Sequence, residues 1–180
     1  MAVVHYSPDD EKHIQKFYLT DDGRFPNSHL PVMYYPGVLL LPGLFPAGEV
    51  KDIFAQNDWK NSWQSGIYTF HHYHSNTHEV LAVVRGETTI QLGGDNGIHL
   101  KIHKGDVIVL PAGTAHKNLG DENAVVCVGA YPKGKEFDMN YGEAKERPAA
   151  DECIRKVKLP EHDPVFGNRG GVMSHWASRA

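Results

Sequence analysis

Between His71 and His78 the chain places four of its twelve histidines within eight residues, and Glu79 follows at once. Imidazole is the commonest metal-ligating side chain, and three imidazoles with one carboxylate suit a first-row divalent ion. On a strand laid over residues 67–74, successive side chains alternate between faces. Tyr68, Phe70, His72 and His74 then share one face, while Ile67, Thr69, His71 and Tyr73 share the other. His72 and His74 would be close enough to share one ion, with Tyr68 and Phe70 as the apolar floor of a ligand pocket. Glu79 opens the next apolar run after the polar turn SNTH, and a reversal there returns its carboxylate to the two rings. A fourth donor, His116, follows Pro111-Ala112-Gly113, where proline and glycine fix a tight turn. An ion that prefers six ligands would keep positions on this set open for water or substrate.

The blander alternative is a group of solvated or internally hydrogen-bonded histidines. That reading is favoured for His5, His13, His29, His99, His103, His162 and His175. His99 and His103 alternate with Ile98, Leu100 and Ile102, which puts them on an outer, wet face. His71 and His78 have the wrong parity beside His72 and Glu79, and are expected in supporting or surface positions. Arg85 shares the parity of Glu79, but six residues of strand place it ~20 Å away, so it has no expected role at the metal. Spacing alone leaves both the metal and the blander reading open.

These residues need a scaffold, and the texture from Ser65 to Pro132 supplies one. Five short apolar or alternating runs are punctuated by Gly, Pro, Asn and Asp: GIYTFHHYH, EVLAVVRGETTIQLGG, GIHLKIHKG, DVIVLPAG and AVVCVGAYP. GGDNG between Leu92 and Ile98 is a hairpin signal. Strands at this spacing predict an all-β antiparallel sandwich or barrel. Ahead of them, Leu30–Leu41 predicts short extended pieces. Val50, Ile53, Phe54 and Asn57 follow helical spacing with Glu49 in the first turn, which predicts a short helix before the barrel. Residues 1–16 are polar and predict an arm or short helix. Beyond Pro132 the chain turns polar again. Ala149–Lys156 is a candidate helix after Pro148, and DPVFGNRGG is a loop. This irregular C-terminal tail, 133–180, is expected to wrap the barrel or to contact another subunit.

The length of 180 residues predicts one domain over 1–180 with a core that needs no staples. A net charge of −4 gives no basic footprint for nucleic acid or an anionic membrane. Two cysteines without a CxxC spacing exclude a disulfide framework and argue against thiolate metal sites. Cys127, in VVCVGAY, reads as a buried free thiol. No run reaches the length of a membrane span, the N-terminus has no long apolar stretch, and the closing Ser-Arg-Ala ends in the wrong residue for a peroxisomal signal. A cytoplasmic location is the expectation.

Two stretches resemble a known family. Gly66-IYTFH-His72-Tyr-His74-SNTH-Glu79-VLAVVR-Gly86 is similar to the first cupin motif, G(X)5HXH(X)3–4E(X)6G, at every fixed position. Gly105-DVIVL-Pro111-Ala-Gly113-TA-His116 resembles the second, G(X)5PXG(X)2H(X)3N, with Asn118 two residues after the histidine rather than four. Eighteen residues separate the two, a spacer typical of compact single-domain cupins. Outside them, LTDDGRFPNSHLPVMYYPGV and DPVFG look like the YjlB-type cupins. The resemblance implies a small antiparallel jelly-roll β-barrel and one divalent metal ion, of iron, manganese, nickel, zinc or copper, on His72, His74, Glu79 and His116. It implies an enzyme acting on a small molecule, foremost an oxidoreductase of the dioxygenase type on a chelating enol, diol or thiol. A redox-neutral isomerase or decarboxylase and a non-catalytic ligand- or metal-binding module remain alternatives. Homodimers are common in this family and are the expected assembly.

Overall fold

The computed structural model of the chain describes residues 2–4 and 10–176. His5 and the closing tripeptide lie outside them. The N-terminal arm contributes two short strands, β1 (Val3–Val4) and β2 (Gln15–Phe17), and a 3-10 turn at Asp10–His13. The Leu30–Leu41 region forms β3 (Val32–Tyr35) and β4 (Leu39–Leu40), as expected of short extended pieces. The helix α1 spans Ala47–Gln56, then β5 runs Trp59–Ser65. The remaining strands are β6 (Glu79–Leu92), β7 (Ile98–His103), β8 (Val107–Leu110), β9 (His116–Asn118) and β10 (Val125–Pro132). The tail carries α2 (Ala149–Lys156) and α3 (Val172–His175).

β6 organises the sheet. Its first half pairs β8 on one side and β10 on the other, and its second half pairs β7 and β9. The path continues through β8 to β3 and β2, and through β10 to β5, with every ladder antiparallel. Among the described residues these ladders do not close into a ring. Gly86 is the corner between the halves of β6. Its φ is +76°, and a Cβ there would run into the carbonyl oxygen of Ala124. The GGDNG hairpin forms as expected, with Leu92 opposite Ile98.

Both faces of β6 are buried, which explains its near-continuous apolar run. Val80, Ala82 and Val84 pack with Val107, Val109, the α1 residues Val50 and Phe54, and Trp176. Leu81 and Val83 face the other way, onto Ile90, Leu92, Ile102 and Ile108. Glu79 has the parity of Leu81, so the sheet carries its carboxylate inward. A ten-residue helix is marginal alone, and burying Val50 and Phe54 contributes about 1.5–3 kcal/mol each. Asn57, the last member of the helical pattern, caps α1 and donates through Nδ2 to Ile53 and Pro164 carbonyls.

The structure corrects one strand. Residues 67–74 are irregular, with bends at Thr69 and Phe70. Their backbone is shared between two partners: His72 bridges His116, and Tyr73 bridges Asn140 of the tail. Neither partner runs alongside for long enough to build a ladder. The neighbouring strand β5 is instead the polar WKNSWQS, an exposed edge whose pairing to β10 has no apolar signature. The tail wraps the sheet. Asp163, fully buried, accepts hydrogen bonds from Tyr35 Oη and from the Val165, Phe166 and Val172 amides, locking α3 down. Among the described residues no helix is long and apolar enough to cross a membrane.

Candidate metal centre

His72 and His74 come from the irregular stretch, His116 from the start of β9 and Glu79 from the start of β6. The turn before His116 needs glycine: Gly113 has φ +95°, and a Cβ there would collide with the Asn27 carbonyl oxygen. The Gly113 amide donates to the His74 carbonyl at 2.8 Å, and the His72 and His116 backbones exchange hydrogen bonds at 3.0 and 3.2 Å. Two segments forty residues apart are thereby stitched back to back. All three imidazoles are buried, and one ring nitrogen of each lies within 4.8 Å of the others.

Each Nδ1 faces a backbone carbonyl. His72 Nδ1 meets the Phe70 carbonyl at 3.1 Å, His74 Nδ1 that of Asp138 at 2.5 Å, and His116 Nδ1 that of Thr114 at 3.0 Å. A carbonyl oxygen can only accept, so each Nδ1 carries a proton, and a ring in its neutral form then has its lone pair on Nε2. Glu79 Oε2 lies 3.4 Å from His74 Nε2 and 3.3 Å from His116 Nε2. It is buried without a hydrogen-bond partner. With the rings neutral, the clustered nitrogens of the three histidines, and Glu79 Oε2 beside two of them, face one region, an arrangement that a cation satisfies. The residues fit a divalent ion, and the donor set admits several metals.

Glu79 is held in place by groups the sequence reading did not single out. Tyr131, near the end of β10, donates from its hydroxyl to Glu79 Oε1 at 2.9 Å and accepts from Trp63 Nε1 at 2.7 Å. Burial, then the nearby carboxylate, push the Tyr131 hydroxyl well above its ordinary pKa, so it remains a donor. Burial opposes the charge on Glu79, yet His74 and His116 beside it hold its pKa below the usual carboxylate range. Burial, then His116, push His72 down to about 3. Burial is the largest influence on His74 and lowers it, but Glu79 and Asp138 together outweigh it and the net direction is upward. Neither Tyr131 nor Trp63 has local spacing that points to the site. The signal available was a polar aromatic closing an otherwise apolar strand.

A cavity of about 330 Å³ opens beside the four donors. Trp63, Tyr68, Leu81, Tyr131, Phe137 and Met139 are among its walls. Tyr68 is among the residues that line it. Phe70 does not reach the lining: the bend turns it outward, 44% exposed, to stack on Tyr68. His71 and His78 are buried rather than on the surface. His71 Nε2 meets Asp95 at 2.9 Å. His78 uses both nitrogens, with Nδ1 accepting from the Ala112 amide at 2.9 Å and Nε2 donating to the Lys158 carbonyl at 3.2 Å. His99 and His103 are exposed, as expected, and Cys127 is a fully buried free thiol. Asn118 closes the turn after β9, accepting from Thr88 and the Gly120 amide and donating to Asp121.

Residues 63–137 match the family described as Cupin. The "Uncharacterized protein YjlB" of Bacillus subtilis (strain 168) is 38% identical over 167 residues, covering 92% of this chain and 98% of that protein. Among solved structures, acireductone dioxygenase from Bacillus anthracis, with a cadmium ion in its active centre, is 20% identical with a TM-score of 0.39. That match covers 53% of this chain and 64% of the dioxygenase. Bacillus subtilis oxalate decarboxylase, whose structure concerns its Mn(II) centres, is 23% identical with a TM-score of 0.33, over 44% of this chain and 22% of that one. With its motifs, its sheet and a near full-length relative in agreement, the chain belongs to the cupin family and groups with YjlB.

Proposed function

We propose that this protein is a metal-dependent cupin enzyme in which His72, His74, His116 and Glu79 hold one divalent ion, and that it is an oxidoreductase of the dioxygenase kind acting on a small chelating organic molecule. One observation carries this reading: three Nδ1 atoms committed to backbone carbonyls, with the partnerless Glu79 Oε2 between the rings. A bound ion would polarise a chelated substrate oxygen and, if redox-active, engage dioxygen. The chain's own residues do the rest. The Phe70, Asp138 and Thr114 carbonyls fix the imidazole tautomers, and Tyr131 anchors Oε1 so that Oε2 turns inward. Trp63, Leu81 and Phe137 screen the substrate from water. The sheet order fits a small jelly-roll barrel, the finer form of the fold we propose.

The test is elemental analysis of protein purified without added metal, paired with oxygen uptake on a panel of enols, diols and thiols. Stoichiometric metal and oxygen consumption that both vanish in His72→Ala support the reading. Metal with turnover but no oxygen consumption moves the assignment to an isomerase or decarboxylase. Metal without turnover of any candidate leaves a binding module.

A further inference from the structure

A second cavity, of about 370 Å³, shares no lining residue with the one beside the metal centre. Its walls come mainly from the turn after β10, the segment that follows α2, and residues 76–78, which link His74 to Glu79. Four lysines line it, Lys133, Lys135, Lys156 and Lys158, against two carboxylates, Asp58 and Glu161. Both carboxylates are already matched. Glu161 pairs with Lys133 at 2.5 Å, and Asp58 pairs with Lys60, outside the lining, at 2.6 Å. Lys135, Lys156 and Lys158 are exposed, and among the described residues none of the three meets a carboxylate. Their ammonium groups are left over around one hollow, on a chain whose net charge is −4.

The backbone that carries them is fixed. His78 Nε2 donates to the Lys158 carbonyl at 3.2 Å, and Trp59 Nε1 donates to the His162 carbonyl at 3.0 Å. Both donor residues are buried, so the segment after α2 is pinned to the body of the protein at two points. On the other wall, Lys133 and Gly134 both take positive φ, +55° and +69°. The Lys133 and Lys135 amides there donate to the Asp58 and Pro132 carbonyls at 2.7 and 3.2 Å. Lys156 closes α2, where a cation also suits the helix dipole, but the dipole asks nothing of Lys135 or Lys158. Like charges held on fixed walls repel one another, and an anion placed among them reverses the sign of that interaction. Walls ordered in advance lower the cost of binding it.

We propose that this hollow binds the phosphate group of a small phosphorylated molecule. Lysine meets phosphate as a point charge, and a phosphate monoester carries about two negative charges at neutral pH. Pro132, Leu159 and Pro160 supply an apolar ledge for the body of the molecule. The volume suits a small ligand, whose pockets are on the order of 300–1,000 Å³. The site does not depend on the metal centre.

Calorimetric titration at low salt with inorganic phosphate, ribose 5-phosphate and ribose tests this, with metal content measured on each sample. Ribose 5-phosphate is expected to bind at least about tenfold more tightly than ribose. Lys135→Ala combined with Lys158→Ala should weaken both phosphate compounds at least about tenfold and leave metal content unchanged. Lys101→Ala combined with Lys145→Ala removes two charges outside the hollow and should leave phosphate affinity within about twofold. Equal losses in the two double variants would mean diffuse attraction and overturn the site. Phosphate binding that survives loss of Lys135 and Lys158 but disappears in His72→Ala would place the anion on the metal and overturn it too. So would the absence of binding by either phosphate compound.

Discussion

Two sets of buried histidines do different things. His72, His74 and His116 each give Nδ1 to a carbonyl and turn a free Nε2 inward. His78, as deeply buried, spends both nitrogens on the backbone and packs its ring 4.8 Å from Trp176. Burial is common to both sets, so burial does not identify a ligand. What separates them is where the second nitrogen points: His74 and His116 turn Nε2 to Glu79 Oε2 at 3.4 and 3.3 Å, whereas both His78 nitrogens go to the backbone. Glu79 follows the same logic: Oε1 is occupied by Tyr131 and Oε2 is spare.

Substitution can break this contrast at either end. His72→Ala and His116→Ala should each reduce metal from about one ion per chain to a small fraction, as read by elemental analysis. His78→Ala should retain the metal but lose about 2–4 kcal/mol of stability in denaturant titrations, because it opens a cavity and strands the Ala112 amide. If His78→Ala strips the metal and His72→Ala does not, the assignment is reversed.

Acid sharpens the contrast further. Burial pushes the pKa of His78 down to about 4. The unfolded chain, with an ordinary value near 6.5, then binds more protons than the folded one between those limits. Stability should fall as pH drops through this window, by about 3 kcal/mol from His78 at the acid end. The gap between parent and His78→Ala should therefore narrow from pH 7 to pH 4. A gap independent of pH would show that His78 is not buried neutral.

Tyr131→Phe tests the spare-atom argument one step from the donors. It removes the hydrogen bond to Oε1, and metal affinity measured by chelator competition should fall about 10–100-fold with the fold retained. His99→Ala, on the exposed face of β7, should change stability by less than about 0.5 kcal/mol and leave the metal untouched.

His72, His74 and His116, which the fold clusters, were legible as candidates from their spacing beside turn residues, and the motif resemblance singled them out with Glu79. Val50, Phe54 and the alternating strands were legible because burial imposes a period. Tyr131, Trp63 and Asp138 were not, because each reaches the centre through pairing with a distant segment. Trp63 and Tyr131 meet through the β5–β10 register, which a bulge shifts between Gly129 and Tyr131. Phe70 was misplaced because strand parity was applied to a stretch whose backbone is divided between His116 and Asn140. Parity kept His71 and His78 out of the ligand set, and both lie outside the cluster, buried in supporting positions rather than at the surface.

The Asp138 oxygen that aims His74 lies beyond the last strand, and it is tied down by Ser75 and Asn76 through the Asp138 side chain and amide. A chain cut after Pro132 would retain every donor atom and still lose the peptide group that steers one of them. Cleavage, insertion or a binding partner at residues 136–140 would thus reach His74 through the Asp138 oxygen and the Phe137 ring, 4.8 Å from the imidazole, so this stretch steers a donor as well as covering it.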